Sequence, residues 1–116
     1  MANPNIVSVS SIYGGNLGWN LSATTTATLL TVDSDKLLKI NRITVANVDG
    51  TNAADLNIDH NDGSTTAALV STLSVPADSA VNPIGGKLVL EAADTLRAWA
   101  GAASDLELTL SVLEIT

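Results

Sequence analysis

A chain of 116 residues has the length of one ordinary domain, enough to bury roughly two thirds of its unfolded surface around a single core. Its net charge of −7 excludes wrapping nucleic acid, because the five cations that would have to neutralise phosphates, Lys36, Lys39, Arg42, Lys87 and Arg97, are scattered along it. No cysteine is present, so disulfides, thiolate metal sites and Cys nucleophiles are excluded as well.

Charged residues make up 15% of the chain against a usual share of about 25%, with Ser, Thr, Asn and Ala in their place. A protein of this size normally keeps more surface charge for solubility, so the deficit points to a surface covered by neighbours. The N-terminal sequence MANPNIVSVSSIYGG lacks the basic start and apolar run of a signal peptide. No stretch approaches the roughly 20 apolar residues of a membrane helix. Synthesis in the cytoplasm and no membrane partner are expected. The triplet Asn20-Leu21-Ser22 fits N-glycosylation, but it is common by chance and is set aside.

Turn signals recur about every ten residues between segments rich in Val, Ile, Leu and Thr, the spacing of a β-sandwich or barrel. Residues 6–12 alternate apolar and Ser, then meet Tyr13-Gly14-Gly15-Asn16, a loop by composition; residues 1–16 are expected as an N-terminal arm or edge strand. Residues 19–32 carry Thr24-Thr25-Thr26, β-branched residues that suit a strand. In residues 37–48 the apolar parity changes between Leu38 and Ile40 on one side and Ile43 and Val45 on the other, which predicts a bulge at Asn41-Arg42 or burial on both faces.

Residues 55–60 alternate cleanly, with Asp55, Asn57 and Asp59 forming a wet face, and Asn61-Asp62-Gly63 turns the chain into a partner strand over residues 65–73. Residues 75–78 and 82–86 read as a looped connection, and residues 88–90 and 96–100 as two short strands joined by an acidic turn. Leu106, Leu108, Leu110 and Val112 alternate with polar residues, the clearest strand in the chain. About eight strands result, in one all-β domain over residues 1–116: an antiparallel β-sandwich, jelly-roll-like.

No catalytic arrangement emerges. His60, the single histidine, sits at the mouth of a hairpin with no G-x-S-x-G motif, and reads as a turn-flanking surface residue. Asp55, Asn57 and Asp59 have the spacing that opens a calcium loop, yet His60 stands where its glycine belongs and Thr66 where its closing acid belongs. Glu91 with Asp94, and Asp33 with Asp35, lie in turns, where acids are common for conformational reasons. The expectation is a protein without enzymatic activity, cofactor or metal. The candidate functional residues are therefore interface residues. Ile6 and Val7 lie in the arm, Tyr13 and Trp19 flank the glycine-rich loop, and Trp99 shares the parity of Arg97, opposite Leu96, Ala98 and Ala100. Leu113 and Ile115 break the parity of the last strand.

Residues 2–9 (ANPNIVSV), 38–55 (LKINRITVANVDGTNAAD), 74–78 (SVPAD) and 88–98 (LVLEAADTLRA) resemble small virion proteins of tailed phages, especially those of marine bacteria. That resemblance implies a capsid decoration or cement protein, a β-sandwich oligomer, often a trimer, on the capsid exterior. Its implied partners are the major capsid protein and copies of itself. Two alternatives stand beside it: a head-to-tail or tail and fibre-base component, and a carbohydrate-binding module stacking sugars on Tyr13, Trp19 or Trp99.

Overall fold

The computed structural model describes residues 3, 4, 7–22, 24–84 and 88–116. Among them the chain forms nine strands and no helix: β1 (Ile12–Asn20), β2 (Ala27–Thr31), β3 (Leu37–Asn47), β4 (Ala54–Asn61), β5 (Thr66–Val75), β6 (Ala80–Ile84), β7 (Leu88–Leu90), β8 (Thr95–Ala100) and β9 (Leu106–Ile115). One sheet has the order β1-β9-β3-β6, with β7 also on β3; the other has the order β2-β8-β4-β5. Every pairing is antiparallel. β6 and β7 lie end to end along one edge of β3, so nine strands fill the eight positions expected.

The order is that of one long hairpin rolled up. The first strand pairs with the last, β2 with β8, β3 with β6 and β7, and β4 with β5, and successive pairs alternate between the two sheets. This is the jelly roll, an all-β sandwich that joins strands far apart in sequence. Its core is the space between the sheets, filled by Ile40, Ile43, Val45, Leu108 and Leu110 from one and Leu56, Ile58, Leu96 and Ala98 from the other.

The register of β3 against β9 shifts between Ile40 and Arg42. That bulge turns Leu38, Ile40, Ile43 and Val45 all into the core, which resolves the parity change read in the sequence. The hairpin between β4 and β5 also forms as expected: Gly63 takes φ +97°, Asn61 Oδ1 accepts the Gly63 N–H, and Asp62 Oδ1 accepts those of Ser64 and Thr65.

Three local expectations are corrected. Tyr13-Gly14-Gly15-Asn16 is strand, not loop, because β9 presents a continuous row of backbone donors and acceptors that residues 12–20 satisfy in unbroken register. Of the two alternatives kept for the segment before it, arm or edge strand, residues 7–11 form no strand, being turn, bend and irregular chain, and Ile6 lies outside the described residues. Thr24, Thr25 and Thr26 are not strand either, since the chain must cross there from the first sheet to the second. Finally, Asn82-Pro83-Ile84 belongs to β6; an edge strand accepts Pro83 because no neighbour needs its missing N–H. The remainder of that expected loop, residues 85 and 86, lies outside the described residues.

Candidate interaction surface

Sheet register decides which side chains are free to meet another molecule. On β1, the residues opposite Leu108, Leu110 and Val112, namely Trp19, Leu17 and Gly15, share the core-facing side with Tyr13, yet only Trp19 is half-buried. Tyr13 is 63% and Leu17 44% exposed, so the second sheet does not cover this part of β1. Trp19 lines a cleft of about 130 Å³ with Leu21, Leu29 and Ala98, where β1 and β2 form the open side of the sandwich.

The outer face of the five-stranded sheet divides in two. At one end Ile12 and Leu37 flank Ile115, and Gly14 and Lys39 flank Leu113, with Val89 beside Lys39. Ile12 and Val89 are exposed, Leu37, Leu113 and Ile115 half-buried, so they form an apolar patch facing solvent. Further along, Asn16, Asn41, Arg42, Thr44, Thr109 and Ser111 line a shallow polar depression of about 380 Å³.

The outer face of the second sheet is tied down internally. Arg97 donates from Nε to Asp59 Oδ1 at 2.7 Å and from Nη2 to Oδ2 at 2.8 Å, and the hydrogen bonds to Asp59 raise the guanidinium pKa above its ordinary value. Asp59 is therefore buried, and the wet face read in the sequence is wet only in part. Asn57 Oδ1 accepts the N–H of Thr72, held at φ 53°. These partners occupy two of the three side chains that imitate a calcium loop. Trp99, half-buried, lies on this face in register with Asn57.

His60 flanks the turn as expected but is less exposed than a surface residue. It is half-buried at one end of the sandwich, its Nε2 3.2 Å from Oδ2 of the buried Asp94, which also accepts the Glu91 N–H. The pair ties the end of β4 to the turn between β7 and β8. Asp49 and Asp62 hold their carboxyls below the usual range because each accepts backbone N–H groups in its own loop, from Thr51 and Asn52 and from Thr65 and Ser64. Among the described residues no group of three His, Asp or Glu side chains is arranged to hold a metal.

The interface residues expected from sequence thus separate. Tyr13, Trp19, Leu113 and Ile115 all lie on the β1–β9 ladder, but Tyr13 and Trp19 are on its core-facing side and Leu113 and Ile115 on its outer face; Trp99 lies on the other sheet, Val7 is 93% exposed in the segment before β1, and Ile6 lies outside the described residues. Sequence reasoning missed Ile12, Leu17, Leu37 and Val89. The signal available for Ile12 and Leu17 was two large apolar residues on either side of the glycine pair Gly14-Gly15.

No protein-family model matches the chain, and no curated protein sequence does. Solved structures share its fold. A protein of the Bacillus endospore appendages, which form disulfide-linked pili, superposes with TM-score 0.53 at 18% identity, covering 91% of this chain and 87% of that one. The Drosophila NLP core, described for pentamer formation and histone binding, gives 0.51 at 14% identity, covering 92% and 100%. A pentameric capsid protein from metagenomic phage sequences covers 95% of this chain and 62% of that one at 17% identity, with TM-score 0.39. At these identities the endospore-appendage and NLP-core structures show a shared β-sandwich fold. The disulfide of the pili has no counterpart here, since this chain has no cysteine.

Proposed function

We propose that this chain is a virion structural protein, a decoration or cement protein that binds the outside of a tailed-phage head and ties neighbouring capsomers together. The observation that carries the reading is the surface: a jelly roll whose five-stranded sheet bears on its outer face an apolar patch of Ile12, Leu37, Val89, Leu113 and Ile115 around Lys39, with an edge strand, β1, beside it. Such a patch on a small soluble domain marks an interaction site. The sequence resemblance to small virion proteins supplies the setting, and the net charge of −7 favours a position away from the packaged genome. The partners in this reading are the major capsid protein and copies of the chain itself. No catalytic role is proposed, and the His60–Asp94 pair is given the structural task of tying the end of β4 to the turn between β7 and β8.

The carbohydrate reading is weaker than the sequence allowed. A stacking platform needs aromatic faces converging on one groove, and Trp99 lies on a different sheet from Tyr13 and Trp19, while the polar depression is lined by none of the three. Quantitative mass spectrometry of purified particles tests the proposal. A decoration protein is present at on the order of hundreds of copies, following capsid symmetry, whereas about a dozen or fewer would place it in the head-to-tail or tail structure. Absence from washed particles would overturn the virion reading altogether.

A further inference from the structure

The four edges of the two sheets are not equivalent. β2 is five residues long with a register shift at Leu29; β5 has two register shifts and Thr72 at positive φ; β6 carries Pro83, and β7 is three residues long. Each is an interruption of the kind that stops another strand from adding on. β1 has none. It runs nine residues in unbroken register with β9, contains no proline and no charged residue, and among the described residues has no strand paired to its outer row of backbone donors and acceptors. The preceding segment does not run along that edge where it is described: the N–H groups of Ser10 and Ser11 bond Thr116 O, and Asn3 Oδ1 accepts the Ala92 N–H.

We infer that β1 is a self-pairing edge, on which the β1 of a second copy adds antiparallel across a two-fold axis at Asn16, joining the two five-stranded sheets into one. The sequence IYGGNLGWN is complementary to itself in that register. On the core-facing side Tyr13 meets the second copy's Trp19, and Leu17 meets the second copy's Gly15, where a Cβ would find nothing within 4 Å. Large thus faces small, and aromatic faces aromatic, pairs that stabilise a ladder. On the outer side Gly14 meets Gly18 and Asn16 meets itself. A second copy, rather than an oppositely charged partner, is the occupant because the edge is neutral in a chain of net charge −7, so pairing brings no like charges together along the ladder. A two-fold contact also closes on itself and makes a discrete dimer instead of a filament. A single strand pair buries less than the about 800 Å² per partner of a standard stable interface. The dimer is therefore a concentration-dependent equilibrium, strengthened by salt that screens the long-range repulsion of two acidic chains.

Sedimentation velocity of the full chain, with single-cysteine cross-linking in this cysteine-free background, tests the pairing. The wild type is expected to move from monomer to dimer with concentration, and Asn16→Lys, which sets two like charges face to face, to raise the dissociation constant about tenfold or more. Asn16→Cys is expected to form a disulfide-linked dimer under mild oxidation, since directly opposed Cα atoms lie within bridging range. Gly18→Cys is expected not to, because in this register it stands about 14 Å from its own counterpart. Both sites have room for the new side chain, as Asn16 is exposed and a Cβ at Gly18 meets only Leu108 O at 3.8 Å; far-UV circular dichroism verifies the fold. A wild type that stays monomeric to about 1 mM overturns the inference. So do equal cross-linking of the two cysteine variants and an oligomer indifferent to Asn16→Lys, which point to another strand or another surface as the occupant.

Discussion

Asn47 shows how much a single side chain can hold. It is buried at the end of β3, donates from Nδ2 to Asn52 O and to Val75 O, both at 2.9 Å, and accepts the Asp49 N–H at Oδ1. It thereby joins the first sheet to the loop before β4 and to the end of β5 in the second. Asn47→Ala leaves the buried Val75 carbonyl without this donor, and is expected to cost about 2–4 kcal/mol in urea unfolding. The Asp59–Arg97 pair should behave asymmetrically. Asp59 is nearly enclosed, whereas Arg97 reaches solvent, with 29% of its side chain exposed. Arg97→Met strands a buried carboxylate; Asp59→Ala releases an arginine that can turn outward. The first substitution is expected to lower Tm more than the second, with the double variant Asp59→Ala/Arg97→Met above Arg97→Met alone.

At the scale of elements, the loops after β3 and β4 carry the acid sensitivity. The carboxyls of Asp49 and Asp62 titrate below the ordinary 3.8 in the folded chain because backbone N–H groups bond their charged form. A depressed folded pKa contributes stability that is present above the unfolded value and is lost as pH falls through the folded one. Stability is therefore expected to decline as pH drops below about 4, and Asp62→Asn to flatten that decline, measured by thermal unfolding from pH 2 to 6. Lys36 works in the opposite sense. The Glu114 carboxylate, 3.1 Å away, raises its pKa above 10.5, so its contribution is complete below that value and is lost in strong base.

At the scale of the molecule, the fold is a set of long-range closures. β1 and β9 stand at opposite ends of the chain and pair over nine positions, and β3 sits on the other side of β9, so β9 is covered on both edges and β1 on one. Amide hydrogen exchange is expected to be slowest in β9 and β3, which are paired on both sides, and faster in β1 and the other edge strands. Protection of the outward-facing β1 amides is expected to rise with protein concentration if the edge pairs with a second copy. Refolding in milliseconds to seconds, the regime of non-local all-β topologies, is expected in stopped-flow fluorescence of the two tryptophans.

Whatever depended on near neighbours was legible in the amino-acid sequence alone. The alternation of Leu106 to Val112, the parity change at Asn41, the Asn61-Asp62-Gly63 hairpin and the outward parity of Trp99 each follow from side-chain period or turn chemistry within a few residues, and each is present in the fold. The absence of cysteine and the dearth of charge were equally plain. What the sequence left open depended on partners far along the chain. Tyr13-Gly14-Gly15-Asn16 is a strand only because residues 111–114 complete its ladder, Asp59 is buried only because Arg97 lies 38 residues away, and His60 is held by Asp94, 34 residues on. Local composition carries no information about those hydrogen bonds. Tertiary structure alone therefore decided that a glycine-rich stretch, a loop by composition, is among the described residues an edge strand paired with β9 in unbroken register.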